Sequence, residues 1–150
     1  MLIQQAARAN PDIIRMSVRN VDGSGSITTG WGVAFPEAGA SIDGVDAVKS
    51  TAARWQGFIG VADADIAIND WGLVISHGYA GSIQISNVGT SITVTRGDVL
   101  IPGAVAGTFF SSVTAQAIST LLYKYAYAGT TPVSVSTLAQ AYCAGIVRAF

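Results

Sequence analysis

Phe58 to Pro102 reads FIGVADADIAINDWGLVISHGYAGSIQISNVGTSITVTRGDVLIP, and the fold is decided here. Ile66 and Ile68 alternate with smaller residues, and Asn69-Asp70 supplies a turn. Trp71, Leu73, Ile75, His77 and Tyr79 then share one side of an extended segment, because strand side chains point to opposite faces in turn. After Gly81, Ile83 and Ile85 alternate with Gln84 and Ser86; after Gly89, Ile92 and Val94 alternate with Thr93 and Thr95. Period-two alternation with turn residues about every ten positions predicts an all-β barrel or sandwich. Almost no charge falls inside these strands, and no catalytic constellation rides on them.

Outward from this block the same reading continues. Asn10-Pro11 separates an N-terminal arm, residues 1–14, which starts as a short helix or stays extended. A single β domain follows over residues 15–150. Ile13 to Val21 reads as a strand ending in the turn Asp22-Gly23-Ser24-Gly25, and Ile27 to Phe35 as the next, with Trp31, Val33 and Phe35 on one face. Pro36 to Val48 is rich in Gly, Ala and Asp and reads as a surface loop. Beyond Pro102 the pattern loosens. Val113, Ala117, Ile118, Leu121, Leu122 and Tyr125 have helical spacing, leaving room for one short helix, while Tyr123, Tyr125 and Tyr127 alternate as a strand would. Leu138 to Ala144 fits either state, and Gly145 to Phe150 reads as a closing strand.

Composition bounds the function. The 150 residues are 50% hydrophobic and only 11% charged, against about 25% charged in an average soluble domain. Net charge is −1, which gives no electrostatic footprint for nucleic acid. Mean hydropathy is +0.46, yet no apolar run approaches the roughly 20 residues of a membrane-spanning helix. The apolar stretch Val99 to Phe110 is broken by Pro102, Gly103 and Gly107. So little charge without a span suits a chain that hides much of its surface in an assembly.

The chemical candidates each have a plainer reading. Cys143 is the single cysteine, in the apolar context Ala141-Tyr142-Cys143-Ala144, and reads as a small buried hydrophobe. His77 is the only histidine and lies far from it in sequence, so neither a thiolate pair nor a serine–histidine pair with a Gly-x-Ser-x-Gly elbow is present. Asp63, Asp65 and Asp70 resemble calcium ligands in type, but turns explain them better, and Asp43 and Asp46 read as solvated loop residues. No metal, cofactor or catalytic residue is expected, and the chain is read as no enzyme. Trp31, Trp55 and Trp71 are large enough to stack on sugar rings, although tryptophans in a small β domain belong first to core or interface. Trp31 is taken as an interface candidate.

The order of segments resembles the decoration (cement) proteins on the capsids of tailed bacteriophages. The matching residues are Val18-Arg19-Asn20-Val21, Ile27-Thr28-Thr29-Gly30-Trp31-Gly32-Val33, Phe58-Ile59-Gly60-Val61-Ala62, Asp70-Trp71-Gly72-Leu73-Val74, Val94-Thr95-Arg96-Gly97-Asp98-Val99-Leu100 and Ile146-Val147-Arg148-Ala149-Phe150. The resemblance covers Ser17 to Pro102 and the last strand; Ala104 to Gln140 and the arm depart from it. It implies a tulip-like β-barrel on the outer capsid surface of a virion, a homotrimer that bridges subunits of the major capsid protein, with no nucleic-acid or membrane partner. Ile3, Ile13 and Ile14 in the arm, with Phe109 and Phe110, are then candidate contacts. The alternative is a tail- or fibre-associated β module binding a cell-surface glycan, which needs two tryptophans exposed together on one face.

Overall fold

A computed structural model describes residues 13–36, 45–51, 53, 57–86, 92–96, 98–103, 105–111, 125–128, 133–135 and 140–149. The elements among them are β1 (Ile14–Asn20), β2 (Gly32–Ala34), β3 (Asp46–Lys49), β4 (Phe58–Ala62), β5 (Trp71–Ser86), β6 (Ile92–Val94), β7 (Val99–Pro102), β8 (Phe109–Ser111), β9 (Tyr125–Ala128), β10 (Val133–Val135) and β11 (Gln140–Arg148). No α-helix occurs among the described residues. The all-β barrel expected from the alternation is what forms. Strands β1, β3, β2, β4 and β5 pair in that order, and β5 pairs back with β1, closing a five-stranded barrel. The sheet also continues from β5 through β11, β9, β7 and β8, and β8 returns to β5 by one parallel pairing, Ile85 with Phe109. β5 is therefore the seam of two rings, while β6 and β10 make a separate ribbon.

Each ring has its own core. Val18, Ile27, Val33, Ala47, Ile59, Ala62, Ile66 and Val74 fill the first, with Trp31 and Phe35 packed against it. Phe58, Val61, Ile75, Ala80, Ile83, Ile85, Leu100, Cys143 and Val147 belong to the second, with Ile13 packed against it. The wall between them is β4 and β5: Phe58 and Val61 face one core, Ile59 and Ala62 the other, and Val74 and Ile75 divide likewise. A strand buried on both faces needs no polar alternation, which is why β4 reads as the unbroken apolar run FIGVA.

Local irregularities let one 16-residue strand serve both rings. Opposite β1, residue Ser76 is an extra residue, because Arg15 pairs with Ile75 but Ile14 with His77. Opposite β11, Cys143 pairs with Ile83 and Gly145 with Ala80, so Gly81 and Ser82 face Ala144 alone. Such bulges bend a strand and reverse which parity points inward. Gly81 is thus the site of a bulge within β5, not the turn read from sequence. The bulge at Ser76 divides the series Trp71 to Tyr79: Ile75 before it is buried and Tyr79 beyond it is exposed, while Trp71 and Leu73 keep the parity of Ile75 but are exposed.

Two other expectations need correction, and one left open is decided. The end of the Pro36–Val48 loop is strand β3, and Asp46 within it is buried, held by Arg19 at 2.8 Å. Ile27 and Ile66 form an isolated bridge in place of strands through Ile27–Phe35 and Ile66–Ile68. Tyr125 begins a strand, β9, whereas the helical-spaced residues before it, and the start of the arm, lie outside the described residues. The turns at Asp22–Gly25 and Asn69–Asp70 form as expected; Asn69 takes a left-handed φ of 63°, which asparagine tolerates.

Asp22 anchors the first of these turns. Its carboxylate accepts from the Ser24 N–H at 2.8 Å, the Ser24 hydroxyl at 2.6 Å and the Lys49 N–H at 2.9 Å. Burial alone pushes this carboxyl up, but the hydrogen bonds from Ser24 and Lys49 outweigh it and hold the pKa below the ordinary 3.8. A depressed folded pKa means that the unfolded chain binds the proton more readily. The stability from this group is complete above about pH 4 and is lost as pH falls through the folded pKa. Urea midpoints are expected to fall from pH 5 to pH 3, and to fall less steeply in Asp22→Asn; an equal slope in the variant would remove Asp22 from the account.

Candidate interaction face

The structure offers no reaction centre among the described residues. Cys143 is buried in the second core, and burial pushes its thiol up to about 11, so it stays protonated and unreactive at neutral pH. No group of three His, Cys, Asp or Glu side chains is placed to hold a metal among the described residues. The aspartates are engaged locally. Asp63 pairs with Arg15 at 2.7 Å, and Asp70 accepts from the Trp71 N–H. Asp65 accepts from the N–H and hydroxyl of Thr29, which lowers its pKa. A cleft of about 230 Å³ lies where the rings meet, lined by Thr29, Ala62, Asp63, Ile75, Ala80, Gly81 and Ser82. Its carboxylate is the one already matched to Arg15.

What the molecule does present is apolar surface, arranged by strand register. Tyr79 of β5 stands opposite Ile146 of β11, and His77, two residues back on β5, stands opposite Ile14 of β1. Directly paired residues project on the same side of a sheet, as do residues two apart on one strand. Tyr142 lies on that side of β11 as well, four residues from Ile146. Ile14, Tyr79, Tyr142 and Ile146 leave 41–55% of their surface open. They form an apolar face across three strands, with His77 half-buried within it.

A second apolar strip lies at the other end of β5. Trp71 and Leu73 are exposed, with Ile68 exposed in the turn leading to them. Trp71 pairs with Arg19 and Leu73 with Ser17 across β1. Arg19 is matched to Asp46 and Arg15 to Asp63, so ion pairs frame the strip and leave its rim nearly neutral. Trp71 and Leu73 have the parity of Ile75, which faces the second core, whereas Tyr79 points away from Ala80 and hence from that core. The strip and the face therefore lie on opposite sides of β5, roughly 20 Å apart along the strand.

The sequence-derived contact residues divide unevenly over these surfaces. Ile14 is part of the face. Ile13 is half-buried against the second core. Trp31 is half-buried as well: its ring lies under the Lys49 ammonium at 5.2 Å, its Nε1 is buried without a hydrogen-bond partner, and Gly107 packs against the ring so closely that a Cβ there would clash. Ile3 lies outside the described residues, and of Phe109 and Phe110 the backbone alone is described, as part of β8. Tyr79, Tyr142, Ile146 and Leu73 were missed as contacts by sequence reading. Alternation put Leu73 and Tyr79 on one side with Ile75, and no residue type announces the bulge at Ser76 that turns Tyr79 to the other.

Compared with known proteins, the chain matches no protein-family model and no curated protein.

Proposed function

We propose that this chain is a structural virion protein that decorates and stabilises the icosahedral capsid of a tailed bacteriophage. It acts as a homotrimer on the outer capsid surface, bridging subunits of the major capsid protein, and has no catalytic role. The observation that carries the reading is the pair of outward apolar surfaces on a chain only 11% charged. Contiguous apolar patches of a few hundred Å² on a soluble fold mark interaction sites, and interfaces are depleted in charge at their centres. A closed barrel suits a load-bearing role, because closure leaves no open edge in the ring to pair with stray strands. The arm, residues 1–14, serves in this reading to add backbone contacts to a partner.

Sedimentation of the purified protein with undecorated phage heads tests the proposal. Saturable binding to heads is expected, with about a tenfold loss of affinity on deleting residues 1–12 and no shift in the unfolding transition. Absence of binding to any head surface would sink the capsid reading; unchanged binding by the deletion would remove the arm from it. A glycan-binding module would instead retain on an oligosaccharide array through paired tryptophans. Of these, Trp71 is exposed and Trp31 is half-buried, and Trp55 lies outside the described residues.

A further inference from the structure

We infer that the two apolar surfaces are the two halves of one contact: the Trp71–Leu73 strip of one copy of this chain seats on the Ile14–Tyr79–Ile146 face of the next. The inference deepens the homotrimer of the proposed function and rests on that part of it alone, not on the capsid.

A cyclic trimer cannot be built from one self-complementary patch. Its contacts are heterologous, so each copy must offer two different surfaces that point in different directions. This chain has such a pair, on opposite sides of β5 and at its two ends. Of the eight exposed large apolar side chains described, all but Val105 belong to the strip with its adjoining Ile68 or to the face with Tyr142. Sized by exposed fraction, the two surfaces together offer about 700 Å² of apolar area. A stable interface buries roughly 1,200–2,000 Å² in total, a little over half of it apolar, so one strip-on-face contact reaches the lower end of that range.

Charge fits the same pairing. The exposed side chains described on the face, Ile14, Tyr79, Tyr142 and Ile146, are uncharged, so mating them strips water from no ion; Arg148, whose backbone alone is described, stands opposite His77 at the border. The strip has a tryptophan at its centre and arginines at its rim, the residue types that dominate binding energy at interfaces. Both arginines already have carboxylate partners within the same chain, so they need none from the neighbour. A surface of this kind accepts a neutral apolar partner and gains nothing from a charged one.

The test is complementation between two blinded variants. In one, Trp71→Ala with Leu73→Ser removes the strip; in the other, Tyr79→Ser with Ile146→Ser removes the face. Native mass is read by analytical ultracentrifugation across a concentration series, with circular dichroism as a check on folding. Wild type is expected to be a multimer and each variant a monomer, with self-association weakened about 30-fold or more. An equimolar mixture of the two is expected to give a species of two chains and no larger, because each retains the half that the other lacks. A wild-type monomer overturns the inference, as does either variant that keeps the wild-type mass. Two monomeric variants that stay monomeric when mixed also overturn it, since that is the behaviour of an isologous contact. Leu73→Gln and Ile146→Thr, milder changes at exposed positions, run the same test should a double variant fail to fold. A wild-type monomer that still binds phage heads would leave the capsid reading standing while removing this one.

Discussion

Gly60→Ala is expected to cost about 4 kcal/mol or more of folding stability, a large part of what a domain of this size has. Gly60 sits in the β4 bulge, where Val33 pairs with Gly60 but Ala34 with Phe58, leaving Ile59 as the extra residue. Its φ is +148°, a conformation that side chains disfavour. A Cβ would come within 2.8 Å of the Ile75 carbonyl carbon and of Val74 Cγ1, and closer still to the Ile75 oxygen. Neither obstacle is a flexible side-chain end that swings away. Relief requires β4 and β5 to part where Val61 pairs with Ile75, in the wall that both cores share. Backbone strain of about 1–3 kcal/mol, overpacking of similar size and lost ladder bonds all act together. Urea unfolding against Gly23→Ala measures it, since a Cβ at Gly23 meets nothing within 4 Å. A loss below about 1 kcal/mol at Gly60 would show that the wall yields, contrary to this account.

Asn20→Ala is expected to cost about 3 kcal/mol, through hydrogen bonds and not through volume. Asn20 is fully buried. Its Nδ2 donates to the Ile66 carbonyl at 3.0 Å and the Gly25 carbonyl at 3.2 Å, and its Oδ1 accepts from the Asp22 N–H at 2.9 Å. Its backbone also accepts from Asn69 and donates to Asp70, so one residue ties two turns together. Alanine takes the side-chain partners from the Gly25 carbonyl and the Asp22 N–H, at about 1–3 kcal/mol each before any water enters, and leaves the Ile66 carbonyl with the Ile27 N–H alone. Asn20→Asp costs no less at neutral pH, because a carboxylate then faces the carbonyls that had received N–H groups. Denaturant unfolding gives the magnitude, and faster amide exchange at Ile27 and Ile66 locates it. A variant with wild-type stability would mean that the turns hold each other without this side chain.

The sequence was most legible where one face of a strand met a core and the other met water. β11 shows this: Cys143 and Val147 are buried while Tyr142 and Ile146 are exposed, and of the closing strand read from Gly145 to Phe150 the part through Arg148 forms. The turn at Asn69–Asp70 was legible because asparagine is one of the few residues at ease with a left-handed φ. β3 was hidden for the opposite reason. Asp46 and Lys49 are poor strand formers by type, and both are buried with partners distant in the chain: Arg19 of β1 for Asp46, and Ser24 and the Trp31 ring for Lys49. The candidate interaction face was hidden too. Ser76 looks like any small residue in a strand, yet the bulge there decides that Ile75 meets the core and Tyr79 the solvent. Register depends on partners distant in the chain, and a local pattern does not contain it.

The seam strand also sets an order of events during synthesis. All five strands of the first ring are in the chain by Ser86, whereas the second ring cannot close before Gln140–Arg148 emerges to pair with β5. Until then, Phe58, Val61 and Ile75 project from the finished wall with no partner strand from β11 over them. The half-made chain thus carries a sticky flank while the ribosome adds the remaining residues, and a truncation ahead of β11 would make that state permanent. Aggregation of such truncated chains is a consequence of β5 belonging to two rings at once, and it places the greatest vulnerability of the fold in β11, made after every other strand described.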